Sequence, residues 1–281
     1  MRPRPRVRPR MRYPGARMWL GVRVIVIVPA WQEAPRIARV VRGMPRWVDA
    51  IVLVDDASTD GTGDVARSVG DPRLAVVRQA RNGGVGAAIV AGYRRALSER
   101  GGPRDALVVM AGDGQMDPAD LPAVVTPVAA ADADYVKGDR FASTATLAAM
   151  PAARRLGGLA FSWATSIAVG VAIADSQCGY TAIARHACAA LDLDGLWPGY
   201  GYPNDLLSQL ALRGLRIREV PVRAVYADEV SRLKARHVPV VAGLVVRAWL
   251  RRLLAPALRR GGSERPVQDR RDVREGVVEV E

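Results

Sequence analysis

Three short runs, Val22–Val28, Ala50–Val54 and Ala106–Met110, are apolar and rich in β-branched residues, and each stops abruptly in a polar loop. That length and content belong to buried strands, and the segments that follow repeat apolar residues at helical spacing, so the chain reads as an α/β protein. The third run sets the rest. Residues 108–118 read Val-Val-Met-Ala-Gly-Asp-Gly-Gln-Met-Asp-Pro, which holds Asp113, Gly114, Gln115 and Asp117 at a strand's end. Pro118 stands where a first helical residue is favoured and Asp117 where an N-cap is favoured, so a helix begins there. Ligands of open α/β sheets bind at the carboxyl ends of the strands, and a loop of this composition suits a hard divalent cation bridging a diphosphate. A solvated turn with a helix cap is the plainer reading of the same residues.

The first strand empties into Pro29, Ala30, Trp31, Gln32 and Glu33. Pro29 is expected to end the pairing, and Ile37, Val40 and Val41 recur at helical spacing behind Glu33. The second strand ends in Asp55 and Asp56 and continues into Ser58, Thr59 and Asp60, which supply turn and capping chemistry. Carboxylates so placed can receive the N–H and O–H donors of a base and a ribose. A third short strand, Leu74–Val77, leads to Gly83, Gly84 and Gly86 and then a helix through Leu97. These glycines allow close approach of backbone to a ligand, although a flexible turn accounts for them equally well. The glycine fingerprint of dinucleotide binding is absent after the first strand, as is a phosphate-binding loop ending in Gly-Lys-Ser/Thr. Dehydrogenase and P-loop readings lose support.

Taken together, four segments resemble a family 2 glycosyltransferase: Val-Pro-Ala-Trp-Gln-Glu at 28–33, Val-Asp-Asp-Ala-Ser-Thr-Asp-Gly-Thr at 54–62, Asn-Gly-Gly-Val-Gly-Ala-Ala at 82–88 and Asp-Gly-Gln-Met-Asp-Pro at 113–118. More narrowly, they are similar to the polyprenyl-phosphate (dolichyl-phosphate) sugar transferase branch, over residues 24–234. The resemblance implies a GT-A fold, with a Rossmann-like mixed, mostly parallel sheet flanked by helices. It also implies a nucleotide-diphosphate sugar donor, GDP- or UDP-linked, a divalent metal, Mg2+ or Mn2+, and inversion at the anomeric carbon. By the same similarity Pro29, Ala30, Trp31 and Glu33 line the base pocket, and Asp55 or Asp56 binds base or ribose. Asp113 and Gly114 border the donor, and Asp113 and Gln115 face the metal. One position departs from the pattern: the family's loop reads Asp-Ala-Asp-Gly-Gln, and its first Asp is Ala111 here. One carboxylate fewer weakens a hard-cation site, with Asp117 or Glu33 the compensation on offer.

The second half resembles the family's acceptor side. Tyr135–Phe141 reads as a strand ending with Lys137 and Arg140, similar to a Gly-Ser-Arg segment of the family. Arg140, with Arg154 or Arg155, matches phosphate oxygens in a bidentate way, and a solvated basic face is the alternative. Leu156–Ala174 carries no charge. Its glycines and hydroxyl residues dilute its apolarity, so it is expected as a buried helix across the sheet rather than a membrane span. Asp-Ser-Gln-Cys-Gly-Tyr at 175–180 is similar to a segment beside the acceptor, which brings Gln177 there, with Cys178 a small buried residue rather than a nucleophile. Asp205 corresponds to the acid that is the candidate catalytic base in family 2 enzymes. A helix cap is its alternative, and a phosphate acceptor, already ionised, asks little of a base. Arg223, Ser231 and Arg232 are similar to a late motif that closes over the donor phosphates.

With 281 residues, 49% of them hydrophobic, the chain can bury a real core. Much of its formal charge of +13 lies in residues 1–17, where Arg alternates with Pro and no acid occurs. That stretch is expected to be a disordered basic arm, or an upstream addition to a chain that starts at Met18. No signal peptide follows it, and Cys178 and Cys188 lack metal or redox spacing, so a reduced cytosolic compartment is the default. Residues 18–234 are the expected transferase domain and 261–281 a disordered tail. Between them, 235–260 reads as a basic amphipathic helix with Arg247 and Arg251 one turn apart beside Trp249. Such a helix lies on a membrane with Leu and Trp inward and Arg toward anionic lipid, or packs on the protein's own body or on a second copy in a homodimer. The expected function is transfer of a sugar to polyprenyl phosphate by an enzyme peripheral to the cytoplasmic face of the cell membrane. A soluble or glycan hydroxyl acceptor, or a silent nucleotide-sugar-binding protein, are the alternatives. Nucleic acid is not an expected partner, since no recognition motif accompanies the arm.

Overall fold

The computed structural model describes residues 18–225 and 237–261. In chain order its elements are β1 Val24–Ala30, α1 Ala34–Arg42, β2 Ala50–Asp55, α2 Thr62–Ser68, β3 Leu74–Arg78, α3 Val85–Leu97, β4 Ala106–Val109, a 3-10 turn Pro118–Asp120, α4 Leu121–Ala129 and β5 Tyr135–Asp139. Then follow α5 Thr144–Ala149, α6 Ala152–Val169, β6 Thr181–Ala184, α7 Arg185–Ala189, α8 Tyr202–Leu212, β7 Ile217–Pro221 and α9 Val238–Gly261. The strands form one sheet in the order β3-β2-β1-β4-β6-β5-β7. Only β6 runs against its neighbours, β4 and β5, while the other pairs are parallel. Every residue of β1, β2 and β4 is buried, because these strands are covered on both faces. The expected mixed, mostly parallel sheet is therefore the fold observed.

Helix starts follow the side chains read for them. Asp117 accepts the Ala119 amide at 2.8 Å and caps the turn at Pro118, while Asp60 accepts the Thr62 and Ala34 amides at 3.0 Å each. Ile37, Val40 and Val41 form the buried face of α1. Pro29 does not end β1: it pairs in register with Val54, and Ala30 with Asp55. In a strand a residue's N–H and C=O point the same way, and the Pro29 carbonyl accepts Gly112 on the β4 side. The missing N–H thus falls where the β1–β4 pairing has already stopped, at Ile27 and Val109.

Two helices differ from expectation. Helix α6 is not buried across the sheet; Leu156, Leu159, Trp163 and Ile167 line one exposed face of it, Trp163 at 70% exposure. Spacings of three and four residues put that row on one side, and Ser162, Thr165 and Ala168 on the side that is buried. Helix α9 packs along α6 and α8 through Val241, Leu244 and Ala248, so it takes the own-body arrangement. Arg247 and Arg251 are turned inward to Asp205 rather than outward, and the large apolar residues it exposes include Val246, Trp249, Leu250, Leu253 and Leu254. Among the described residues no helix is long and apolar enough to cross a membrane. The arm 1–17, the tail beyond Gly261, and Ser231 and Arg232 lie outside the described residues, as does the side chain of Arg154.

Candidate active site

The carboxyl ends of β1, β2 and β4 meet with the turn before α3. Asp55, wholly buried at the end of β2, accepts the Ser58 amide at 2.8 Å and pairs with Arg78 at 2.6 Å. Asp56 turns the other way: Oδ1 accepts the Gly83 amide and the Gln79 side chain, and Oδ2 accepts the Gly84 amide, each at 2.8 Å. The two acids thus shape the cleft by holding its loops, Asp56 fastening the glycine turn to the strand end. Glu33 is buried, with Arg36 3.3 Å away and its own amide donating to Thr62. Gln32 takes a left-handed φ of 56°, and Trp31 before it is 43% exposed.

The loop after β4 lies beside these groups. Gly112 donates to Pro29 O at 3.0 Å, and a Cβ there would stand 3.0 Å from that of Ala30, so the loop's backbone rides directly on β1. Asp113 follows, half-buried, with Oδ1 accepting the Gln115 amide. Gly114 has φ 78° and lies under the guanidinium of Arg39, a cation that sequence reasoning passed over. Gln115 is anchored through its carbonyl, which accepts Val225, and Met116 bridges to Ala224. Asp117 is engaged by its cap and by Arg223, 3.2 Å away, and Arg223 also grips Asp120. Asp117 and Glu33, the compensation offered for Ala111, are thus engaged by Arg223 and Arg36, and Arg223 holds a turn.

Across the sheet, Arg140 meets Asp175 as a fork, Nε to Oδ2 at 2.7 Å and Nη2 to Oδ1 at 2.9 Å. Asp175 also accepts the amides of Arg140, Gln177 and Cys178. Burial alone would raise its pKa, but the hydrogen bond and charge of Arg140 overcome this and hold it below the ordinary value. Beneath lies Lys137, fully buried, donating to Cys178 O and standing opposite Glu219 in the β5–β7 register. Burial pushes the Lys137 pKa down and the Glu219 pKa up, and Glu219 accepts the amides of Ala174 and Asp175. Gln177 donates to Ser176 at 2.9 Å, Arg155 is exposed near the start of α6, and burial raises the Cys178 thiol, as suits a residue that packs rather than reacts. Sequence reasoning named Arg140 and Gln177 but passed over Asp175, which holds both, and Glu219 behind it. The segment 175–180 was the available signal for Asp175, whereas Glu219 becomes visible only once β7 is paired.

A family model described as glycosyl transferase family 2 matches residues 25–182. The chain belongs to that family. Its relatives include an undecaprenyl-phosphate mannosyltransferase of Micrococcus luteus, 35% identical over 215 residues that cover 73% of this chain and 84% of the relative. A polyprenol monophosphomannose synthase of Mycolicibacterium smegmatis is 31% identical, covering 71% and 76%. Among solved structures, glucosyl-3-phosphoglycerate synthase of Mycobacterium tuberculosis, in complex with Mn2+, UDP and phosphoglyceric acid, superposes with a TM-score of 0.61 at 20% identity, covering 83% of this chain and 78% of that one. The fold of this family 2 glycosyltransferase is accordingly GT-A, as the motifs implied.

Of the residues expected to face a metal, Asp113 brings a half-buried carboxylate, and Gln115 lies two positions on. Among the described residues no three His, Cys, Asp or Glu side chains converge as a cation cage. Mg2+ and Mn2+ accept one carboxylate when phosphate oxygens and waters supply the other ligands, so the residues fit a cation that arrives with a diphosphate. A protein-only metal site is not what this loop builds.

Proposed function

We infer that this glycosyltransferase moves a sugar, with inversion, from a nucleoside-diphosphate sugar to polyprenyl phosphate at the cytoplasmic face of the cell membrane. The observation that carries the membrane contact is the set of apolar side chains that α6 and α9 expose, Trp163 and Trp249 with Leu156, Leu159, Leu250, Leu253 and Leu254. Soluble monomers rarely leave so many large apolar side chains of two packed helices in water, and a membrane interface accepts them. That face belongs to the same helices that back the acceptor half: Ser162 of α6 receives the Ser176 amide, and Thr165 donates to Asn204 beside Gln177. The relatives named for undecaprenyl phosphate and polyprenol support the same acceptor. In this reading residues 18–234 form the catalytic body and 235–260 its membrane contact.

Each group then has a task. Trp31 and Glu33 with the Asp55 and Asp56 loops receive base and ribose, and Asp113 with Gln115 would hold Mg2+ or Mn2+, which neutralises the leaving diphosphate when bound. Arg140, aimed by Asp175, and Arg155 lie on the side of the acceptor phosphate. Because that phosphate is already an anion, the chain's contribution is alignment and charge stabilisation rather than proton removal.

The experiment is transfer by the purified protein from a panel of UDP- and GDP-sugars with Mn2+ or Mg2+, with and without a short-chain polyprenyl phosphate. Transfer that requires the lipid phosphate bears the reading out, and transfer only to soluble hydroxyl acceptors refutes it. Ala111 favours one other reading, a silent nucleotide-sugar binder, which predicts no turnover even after Ala111→Asp. The membrane face makes a separate prediction. Trp163→Glu with Trp249→Glu should lower partitioning into anionic vesicles at least tenfold, on the order of the loss of two indoles from an interface. Both side chains are exposed, so the melting transition should not move; unchanged vesicle binding would show that this face does not meet lipid.

A further inference from the structure

Asp205 lies in the first turn of α8 and is only 1% exposed. Its Oδ2 accepts the Trp197 amide at 3.0 Å, and Oδ1 accepts Arg251 of α9. Arg247, one turn earlier on α9, sits 3.8 Å from Oδ2 and donates to Gly195 O. A proton acceptor has to come within hydrogen-bond reach of the substrate. This carboxylate instead faces a helix and the loop that leads into its own.

That loop touches the donor pocket. Pro198 O accepts the Ala87 amide at 2.9 Å in the first turn of α3. A Cβ on Gly86 would stand 2.3 Å from Trp197 O, and one on Gly84 would stand 2.8 Å from Pro198 O, so both glycines are required by the closeness of this second backbone. Gly84 and its neighbour Gly83 are the residues whose amides bind Asp56. Contacts therefore run from Arg251 through Asp205, Trp197 and Pro198 to the glycine turn and Asp56.

We propose that Asp205 is a positioning residue which, clamped by Arg251, seats the 195–198 loop against the glycine turn and so holds the nucleotide pocket closed on Asp56. The nucleotide part rests on the donor-site reading above, whereas the clamp rests on the contacts alone. Adjacency is not coupling, so the test measures both.

The variants are Asp205→Asn, Arg251→Met, which keeps the aliphatic stem, and the two combined, each in the full chain. Hydrogen exchange comes first, because it needs no ligand. In either single variant the Ala87 amide and the peptide across 82–90 should exchange about tenfold faster, with β1 and β2 unchanged and no further loss in the double variant. Faster exchange confined to 195–205 and α9, with 82–90 unchanged, overturns the clamp. Binding of UDP and GDP with Mn2+ and steady-state kinetics follow. Donor Kd and KM should rise about tenfold in both single variants, with the acid limb of the pH profile where the parent has it. A fall in kcat of about 10²-fold with donor affinity intact and the acid limb lost would make Asp205 the base and refute the proposal. A parent protein that binds neither nucleotide refutes the donor-site reading, and the exchange result still decides the clamp.

Discussion

Asp113→Ala is expected to lower kcat/KM for sugar transfer by about 10²–10³-fold, the scale on which removal of one group that stabilises a leaving charge is felt. Family 2 loops resembling this one carry two acids, and the other position is Ala111, so the variant removes the carboxylate that the proposed donor site assigns to the metal. The substitution should cost little stability, because Asp113 is half-exposed in a loop whose backbone is anchored independently. The Gly112 amide donates to Pro29 O, and Gln115 O accepts the Val225 amide, which bridges Met116 against Ala224. The converse variant, Ala111→Asp, supplies a second carboxylate and should lower the Mn2+ concentration for half-maximal rate by about tenfold. Initial rates over a Mn2+ and Mg2+ series check both. If Asp113→Ala keeps the parent rate and metal dependence, the loop after β4 is not where the diphosphate is neutralised.

What the sequence disclosed and what it withheld divide along physical lines. Strands β1, β2 and β4 were legible because burial on both faces demands unbroken apolar runs, and Asp117 and Pro118 were legible because caps are local. β6 and β7 are not legible: β6, Thr-Ala-Ile-Ala, has one large apolar residue, and Arg218 and Glu219 interrupt the apolar character of β7. The uncharged stretch beginning at Leu156 was read as a buried helix because composition does not distinguish a face turned to the sheet from one turned outward. The arginines of α9 have legible spacing, while their partner Asp205 is not legible in sequence. Arg251 finds Asp205 across 46 positions, and Arg140 finds Asp175 across 35, distances at which only the packed sheet decides who meets. The candidate site was thus named residue by residue in its loops, while the pairs that hold those residues in place came from tertiary structure.

The most destructive single change should be Asp175→Ala. It removes the acceptor of five hydrogen bonds, three from peptide amides and two from Arg140, at a point that water does not reach. Lys137 would remain buried close by, with its register neighbour Glu219 pushed by burial toward the neutral form. Breaking one side of a buried ion pair costs about 3–5 kcal/mol, which for a protein of this size lowers Tm by on the order of 10 °C. Asp175→Asn separates charge from shape, because it keeps the volume and some of the bonds. The pH dependence supplies the sign. The Asp175 pKa is depressed in the folded protein, so its contribution is complete above the unfolded carboxyl value, near pH 4, and is lost as pH falls through the folded value. The stability gap between the parent and Asp175→Asn should therefore be widest at neutral pH and shrink steadily below pH ~4. Glu219, shifted the opposite way, is common to both proteins and drops out of the difference to first order. Denaturant midpoints at several pH values, with transfer rates measured alongside, check this. A gap that stays constant across that range would mean that the ionisation of Asp175 does not contribute to stability, and a variant as active as the parent would release Arg140 from its assigned place at the acceptor phosphate.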